Sequence, residues 1–411
     1  MKRLMIYIAL CLVLATAACK KPFSAQLITS ASGLLAIDGP IISGDSTFIT
    51  LTRTTTLNDP NQQKAELKAI VAVEDDQGKT YPLAELGKGK YALGITNFDP
   101  VRKYRLDVKT SAGKLYQSDF VPMKVTPPID TVYYGIDTKQ VQYYVDAHDP
   151  NNATRYYRWD YKETWQYNPY YDAFYAYVNG QVISIAGPNQ ITASGYYCYF
   201  TDFSNQIFIG NSVNLAQDII KKQPLATIPD TSRKLSEIYA IVVRQYALTQ
   251  DGFNYFQNLK TNTENLGTLF DAQPSTTTGN IHCITTPAEP VYGFISASTV
   301  TSKIVIFKYA DQGVFKITPG VNGIGLNNNS NFYYAGPDSL SCLPHVLLLA
   351  PTATFNNRAA KSLATGDSLL FNQFIAPPTG FEGYLYAPKK CVDCSTLGGT
   401  KTRPSYFPLP F

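Results

Sequence analysis

Few residues in this chain are able to do chemistry. Its 411 residues hold three histidines, His148, His282 and His345, and seven cysteines. No two histidines stand in His-x-x-x-His spacing, so the paired imidazoles of a zincin helix are missing. Gly366-Asp367-Ser368-Leu369 spells the start of a lipase-esterase signature. Such a serine needs a histidine base downstream, and none follows His345. The tetrapeptide therefore reads as a turn entering a strand at Leu369–Phe371. There is no Gly-x-Ser-x-Gly elbow and no phosphate-cradling glycine loop. No catalytic residue, metal ligand set or cofactor is assigned, and a non-enzymatic protein is expected.

Sulfur remains. Met1-Lys2-Arg3 is a basic start, Leu4 to Ala18 is apolar or small, and Thr16-Ala17-Ala18-Cys19 closes the run. Residues 1–18 have the three parts of a secretory signal peptide and are too short to span a bilayer permanently. The small residues before Cys19 resemble a bacterial lipobox, with Thr16 where Leu is usual. Cys19 would then carry acyl chains such as palmitate, each buried methylene adding roughly 0.8 kcal/mol to membrane binding. Cys198, Cys283, Cys342, Cys391 and Cys394 follow. In an exported protein disulfides persist, and five cysteines allow at most two. A redox Cys-x-x-Cys at 391 and 394 wants a βαβ setting. A metal site drawing on Cys283, Cys342, Cys391, Cys394 and His282 has only one close cysteine pair. Disulfides that staple the tail are the remaining reading. A ring between Cys391 and Cys394 is strained, so at least one should reach Cys342 or Cys283. That leaves Cys198 as the expected free thiol, packed as a small hydrophobe.

The elements that position these groups are mostly strands. Tyr reaches 30 and Phe 21 while charged residues are 16%, with 27 Gly and 26 Pro as punctuation, a composition that favours β-structure. Removing Lys2 and Arg3 with the leader lowers the formal charge from +4 to +2, which argues against nucleic acid as a partner. Residues 19–30 read as a polar, lipidated tether. Over 31–126 about seven short strands broken by turn signals form the pattern of an immunoglobulin-like β-sandwich. Pro127-Pro128 then opens a larger β-rich domain over 127–411 with a cysteine-containing tail. Within it the strand from Arg155 to Trp165 carries both tryptophans, Trp159 and Trp165, six residues apart and so on one face. They are either core anchors or an aromatic binding surface. Ile238–Val243 reads as a buried strand, and further strands are expected at Val291–Ser298, Lys303–Phe307 and Val346–Leu349. One helical insertion is expected near 250–262, with Thr249 as N-cap and Leu248 and Phe253 at the staple positions.

Several segments taken together resemble the Bacteroidota lipoproteins of the domain-of-unknown-function 4249 family. They are Ala36-Ile37-Asp38-Gly39 with Leu51-Thr52-Arg53, Tyr104-Arg105-Leu106, and Arg158-Trp159-Asp160-Tyr161-Lys162-Glu163-Thr164-Trp165. Further on come Arg244-Gln245-Tyr246-Ala247-Leu248-Thr249, Gly279-Asn280-Ile281-His282-Cys283 with Gly293-Phe294, and the tail Cys391-Val392-Asp393-Cys394-Ser395 with Gly398-Gly399-Thr400. The resemblance implies a lipid anchor in the outer membrane, on its periplasmic or its surface face. It also implies partnership with a TonB-dependent receptor barrel, and it brings no catalytic residues or known ligand. The expected role is accessory or binding partner of a TonB-dependent transporter for an unidentified nutrient. The alternative is a structural or adhesive surface lipoprotein.

Overall fold

The computed structural model describes residues 33–55, 64–137, 139–167, 169, 175–178, 181–184, 197–230, 232–264, 279–308, 345–348, 368–376, 381–391 and 393–407. The expected leader, Cys19 and its tether, and Cys342 lie outside them. The described chain is mostly β with one α-helix, as the composition implied. No helix among the described residues is long and apolar enough to cross a membrane.

The N-terminal body is built from β1 (Leu35–Asp38), β2 (Ile41–Ser43), β3 (Thr47–Arg53), β4 (Lys64–Ala65), β5 (Ile70–Asp75), β6 (Thr80–Gly87), β7 (Lys90–Leu93), β8 (Lys103–Lys109), β9 (Leu115–Ser118) and β10 (Val121–Pro122). All but β2 join one curled antiparallel sheet. The curl comes from β6. Its first half pairs β5, with Val71 opposite Leu83, and its second half pairs β7, with Ala84 opposite Ala92. Alternation of buried and exposed residues along β1, β3 and β8 then aims one face of each half at a shared core. Ile37, Leu51, Val73, Tyr91, Tyr104 and Leu106 lie in it. Asp75 sets the β5–β6 turn by accepting the Gln77 and Lys79 N–H groups at 3.0 and 2.9 Å.

This body does not close at residue 126. Its sheet continues past β9 into β20 (Ile281–Cys283), and Ile281, Cys283, Ile295 and Ala297 complete its core. The expected strand at 291–298 is largely absent, because Gly293 takes φ 133° and a Cβ there would sit 2.1 Å from the Ile37 carbonyl oxygen. Only glycine permits that approach. Regular pairing resumes at Ala297.

The second body follows with β11 (Ile129–Ile136), β12 (Gln140–His148), β13 (Tyr156–Tyr167), β14 (Tyr175–Val178), β15 (Gln181–Ser184), β16 (Cys198–Phe203), β17 (Phe208–Asn211), β18 (Ile219–Pro229), β19 (Ile238–Ala247), α1 (Gln250–Glu264), β21 (Ala297–Lys308), β22 (His345–Leu348), β23 (Ser368–Ala376) and β24 (Phe381–Pro388). A three-stranded sheet, β11-β12-β18, packs on a second sheet ordered β16-β13-β19-β21-β2, in which β17 also pairs β13. The core between them holds Val141, Tyr143, Val145, Trp159, Tyr239, Ile241, Val243 and Phe307. β14, β15, β22, β23 and β24 form a further sheet. β2 leaves the N-terminal body to run parallel to β21, Ile42 beside Ser298, so the two bodies share a strand.

α1 starts as its sequence requires. Thr249 Oγ1 accepts the Gly252 N–H at 3.1 Å and the Thr249 carbonyl accepts the Phe253 N–H at 3.0 Å. Leu248 and Phe253 share one cluster with Phe256, which is the staple.

Candidate functional site

The two longest family-like segments lie side by side. β13 and β19 pair antiparallel with Trp159 opposite Gln245, Asp160 opposite Arg244 and Arg158 opposite Tyr246. Strand alternation splits these residues between two faces.

On the inner face, Trp159 is buried and its indole N–H donates to Gln245 Oε1 at 2.8 Å. Gln245 Nε2 donates in turn to the Pro127 carbonyl at 2.9 Å. Glu163, also buried, has both oxygens engaged: Lys234 Nζ lies at 2.5 Å and the Tyr239 hydroxyl donates at 2.8 Å. Burial pushes the Tyr239 phenol far above its ordinary range. The Lys234 ammonium also sits 4.6 Å above the half-buried Trp165 ring, which stacks on Phe200. The tryptophans share a face as expected, but only Trp159 is sealed. Trp165 is half-buried at the margin of the core, against Cys198 and Cys394. With both of its oxygens engaged, Glu163 ties β13 to its neighbour β19 and to the turn that leads into β19.

The outer face carries rows of residues set by register. Tyr199 and Gln166 form one, with Ile238 packed in the same cluster as Tyr199, and Thr201, Thr164 and Ala240 the next. Both lie under the tail: Phe407 packs on Tyr199 and Ala240, and the Tyr406 hydroxyl is 2.7 Å from Thr164 Oγ1. At the other end α1 covers Arg158 and Tyr246, with the Arg158 guanidinium 4.8 Å from the Phe256 ring and 5.1 Å from the Tyr246 ring. Two rows lie between helix and tail, and the tail reaches the nearer of them, with Lys162 Nζ 5.2 Å from the Tyr406 ring. One is Phe203, Lys162, Val242 and Ile304; the other is Asp160, Arg244 and Ser302. Phe203 is 63% and Ile304 39% exposed. Asp160 accepts both Arg244 nitrogens, at 2.8 and 3.2 Å, and lies 3.5 Å from Arg158. The result is a trough about two rows wide, floored by side chains of four strands.

The tail forms one wall because it is fastened to β16. Cys198 and Cys394 form a disulfide with a Cα–Cα distance of 5.8 Å, and Thr400 pairs with the Tyr199 backbone in both directions at 2.8 and 3.0 Å. This corrects two expectations. Cys198 is bonded rather than free, and among the described residues the free thiol is Cys283, buried beneath the N-terminal sheet. The two tail cysteines do not bond each other, and Cys394 reaches Cys198 rather than the expected Cys342 or Cys283; Cys391 is likewise disulfide-bonded. The reason is topological: the tail crosses the free edge of β16, placing Cys394 beside Cys198 on one face and Phe407 on the other. Spacing along the chain carries no sign of that crossing.

A second polar cluster lies on the outer face of the N-terminal sheet. Arg105 donates to Glu74 at 3.0 and 2.7 Å, and Asp107 lies 3.6 Å from Arg105. Burial, with Glu74 beside it, pushes the Asp107 carboxyl up to about 6. The hydrogen bond from Asp107, then desolvation opposed by Arg105, leaves Glu74 below its usual range. A raised carboxyl pKa contributes stability that is complete below the unfolded value near 4 and is lost as pH rises through about 6. The Glu74 contribution changes only below about 4.5, its ordinary value. Denaturant unfolding between pH 4.5 and 6.5 should therefore show declining stability, and Asp107→Asn should flatten it. An identical slope in the variant would rule this assignment out. His282, from another family-like segment, stands opposite Gln117 in the next strand and 3.2 Å from Asp119, at the exposed rim. Among the described residues no cluster of three or more His, Cys, Asp or Glu could hold a metal.

A family model described as "Domain of unknown function (DUF4249)" matches residues 20–304. No curated protein matches the chain. Among solved structures, the pullulanase of Anoxybacillus sp. LM18-11 complexed with maltotriose aligns at 11% identity and TM-score 0.15, over 45% of this chain and 25% of that one. A structure titled as manganese lipoxygenase of Gaeumannomyces graminis with partial zonadhesin of Komagataella pastoris aligns at 12% identity and TM-score 0.17, over 53% of this chain and 89% of that one. This chain thus spans about a quarter of the pullulanase chain. Scores this low carry no argument about fold or function.

Proposed function

Because the chain belongs to the DUF4249 family, we propose that it is an outer-membrane lipoprotein, acylated at Cys19, that binds and assists a TonB-dependent transporter for a nutrient. The observation that carries the binding role is the outer face of β13 and β19. Their family-like segments pair in register, and their outward side chains form an open, charged and partly apolar surface between α1 and the tail. An open surface of that kind suits recognition of a partner or ligand. The lipobox-like run ending at Cys19 supports the anchor.

The test is affinity capture of the intact lipoprotein at native level from outer membrane solubilised in mild detergent. A large β-barrel receptor should co-purify in comparable amount. Recovery of the lipoprotein alone would sink the partnership, and a Cys19→Ser variant still in the membrane fraction would sink the anchor.

A further inference from the structure

We propose that the trough between α1 and the tail is the docking surface for an acidic segment of a partner protein, one that carries large apolar side chains. The inference rests on reading the chain as a binding protein and names the surface and the chemistry it selects.

The geometry sets the size. Rows two residues apart along a strand are about 7 Å apart, so the covered rows on either side are separated by about 20 Å. Crossing from β16 to β21 spans three strand spacings, about 14 Å. An extended segment of four or five residues crosses that floor, and the width also admits a helix of about 10–12 Å diameter. The two exposed apolar groups, Phe203 and Ile304, stand at opposite ends of one row. They offer two anchor points flanking Lys162 and Val242.

Charge selects the occupant. The floor holds Lys162 and Arg244 against Asp160, whose carboxylate is shared between Arg244 and the Arg158 guanidinium beneath α1. Asp45 lies near enough to act on Arg244. The wall made by the tail adds the exposed Arg403, whose guanidinium donates to the Phe407 carbonyl at 2.7 Å. The whole chain has nearly equal numbers of acids and bases, so this excess of cations is local. An acidic segment complements it. A flat anionic bilayer does not, because walls on two sides keep it from Lys162 at the floor.

The experiment selects a displayed library of random peptides, about twelve residues long so that each can span the floor, on the intact mature chain in detergent. Binding of the enriched peptides is then measured by fluorescence anisotropy. Enriched sequences should be acidic with one or two large apolar residues. Their affinity should fall at least tenfold in the Lys162→Glu/Phe203→Ser variant, which alters exposed or half-exposed side chains and should keep the wild-type melting temperature. It should also fall with added salt, and should be unchanged in Lys109→Glu on the other body. No enrichment, enrichment of neutral or basic peptides, or equal binding by the double variant would overturn the proposal. So would binding of phosphatidylglycerol vesicles, with the same dependence on Lys162 and Phe203, in place of peptide. A receptor that co-purifies although no peptide binds would remove this inference alone. Peptide binding without a receptor would remove the transporter reading alone.

Discussion

Trp159→Ala should lower the stability of the second body by about 3–5 kcal/mol, the range for large aromatic truncations in a packed core. Two features place it toward the upper end. The ring is 1% exposed and stacks on Tyr157 at 5.7 Å, so little can collapse into the space it leaves. Its N–H is also the donor to Gln245 Oε1, which would remain buried and lose that partner, an added cost. A fall in melting temperature on the order of 10 °C is expected. Trp165→Ala is the internal comparison. Trp165 is half-buried, lies over Phe200 and under Lys234, and should cost only about 1–2 kcal/mol. Equal effects at the two positions, or none at Trp159, would show that the inner face of β13 is not the core.

Removing the Cys198–Cys394 disulfide should be comparably severe. It closes a loop with a sequence separation of 196, and the chain-entropy model gives about 5 kcal/mol for such a loop, less whatever order the reduced chain retains. The tail depends on it. Beyond the bond at Cys391, which ties only its base, residues 393–407 otherwise hold on through Thr400, Tyr406 and Phe407, a small area for a terminal segment. Cys198→Ser/Cys394→Ser should therefore lower the unfolding midpoint and expose the tail to limited trypsin digestion, with cleavage after Lys401. On a non-reducing peptide map of the wild type, peptides with Cys198 and Cys394 should migrate as one, and Cys283 should alkylate only after denaturation. A tail that stays intact in the variant would show that packing suffices.

These two results would also separate what was legible in the chain from what was not. Trp159 and Trp165 could be placed on one face from their spacing alone, because strand alternation is local. The difference in their burial could not, because it depends on where the opposing sheet ends. The helix at Gln250–Glu264 was legible almost to the residue, since Thr249, Leu248 and Phe253 act within one turn. The N-terminal body was legible as a run of about seven short strands, where the structure has ten up to Pro122, but not in its completion by Ile281–Cys283, some 160 positions later. The cysteines follow the same division. Their odd number after Cys19 could be read by counting, whereas the pairing of Cys198 with Cys394 follows from the tail crossing the edge of β16.

By itself the sequence determined a mostly β chain, a lipobox-like run at Cys19, the helix and its cap, the alternation of β13, and the absence of the common catalytic motifs. All of these are set by neighbours within a few residues, where propensity, periodicity and capping operate. Only the tertiary structure decided that β13 and β19 pair with Asp160 beside Arg244, that β2 and β20 change places between the two bodies, and that helix and tail leave a trough between them. Each joins segments far apart in the chain. Such contacts are chosen by the burial and strand pairing of the whole fold, and local sequence carries no record of the partner.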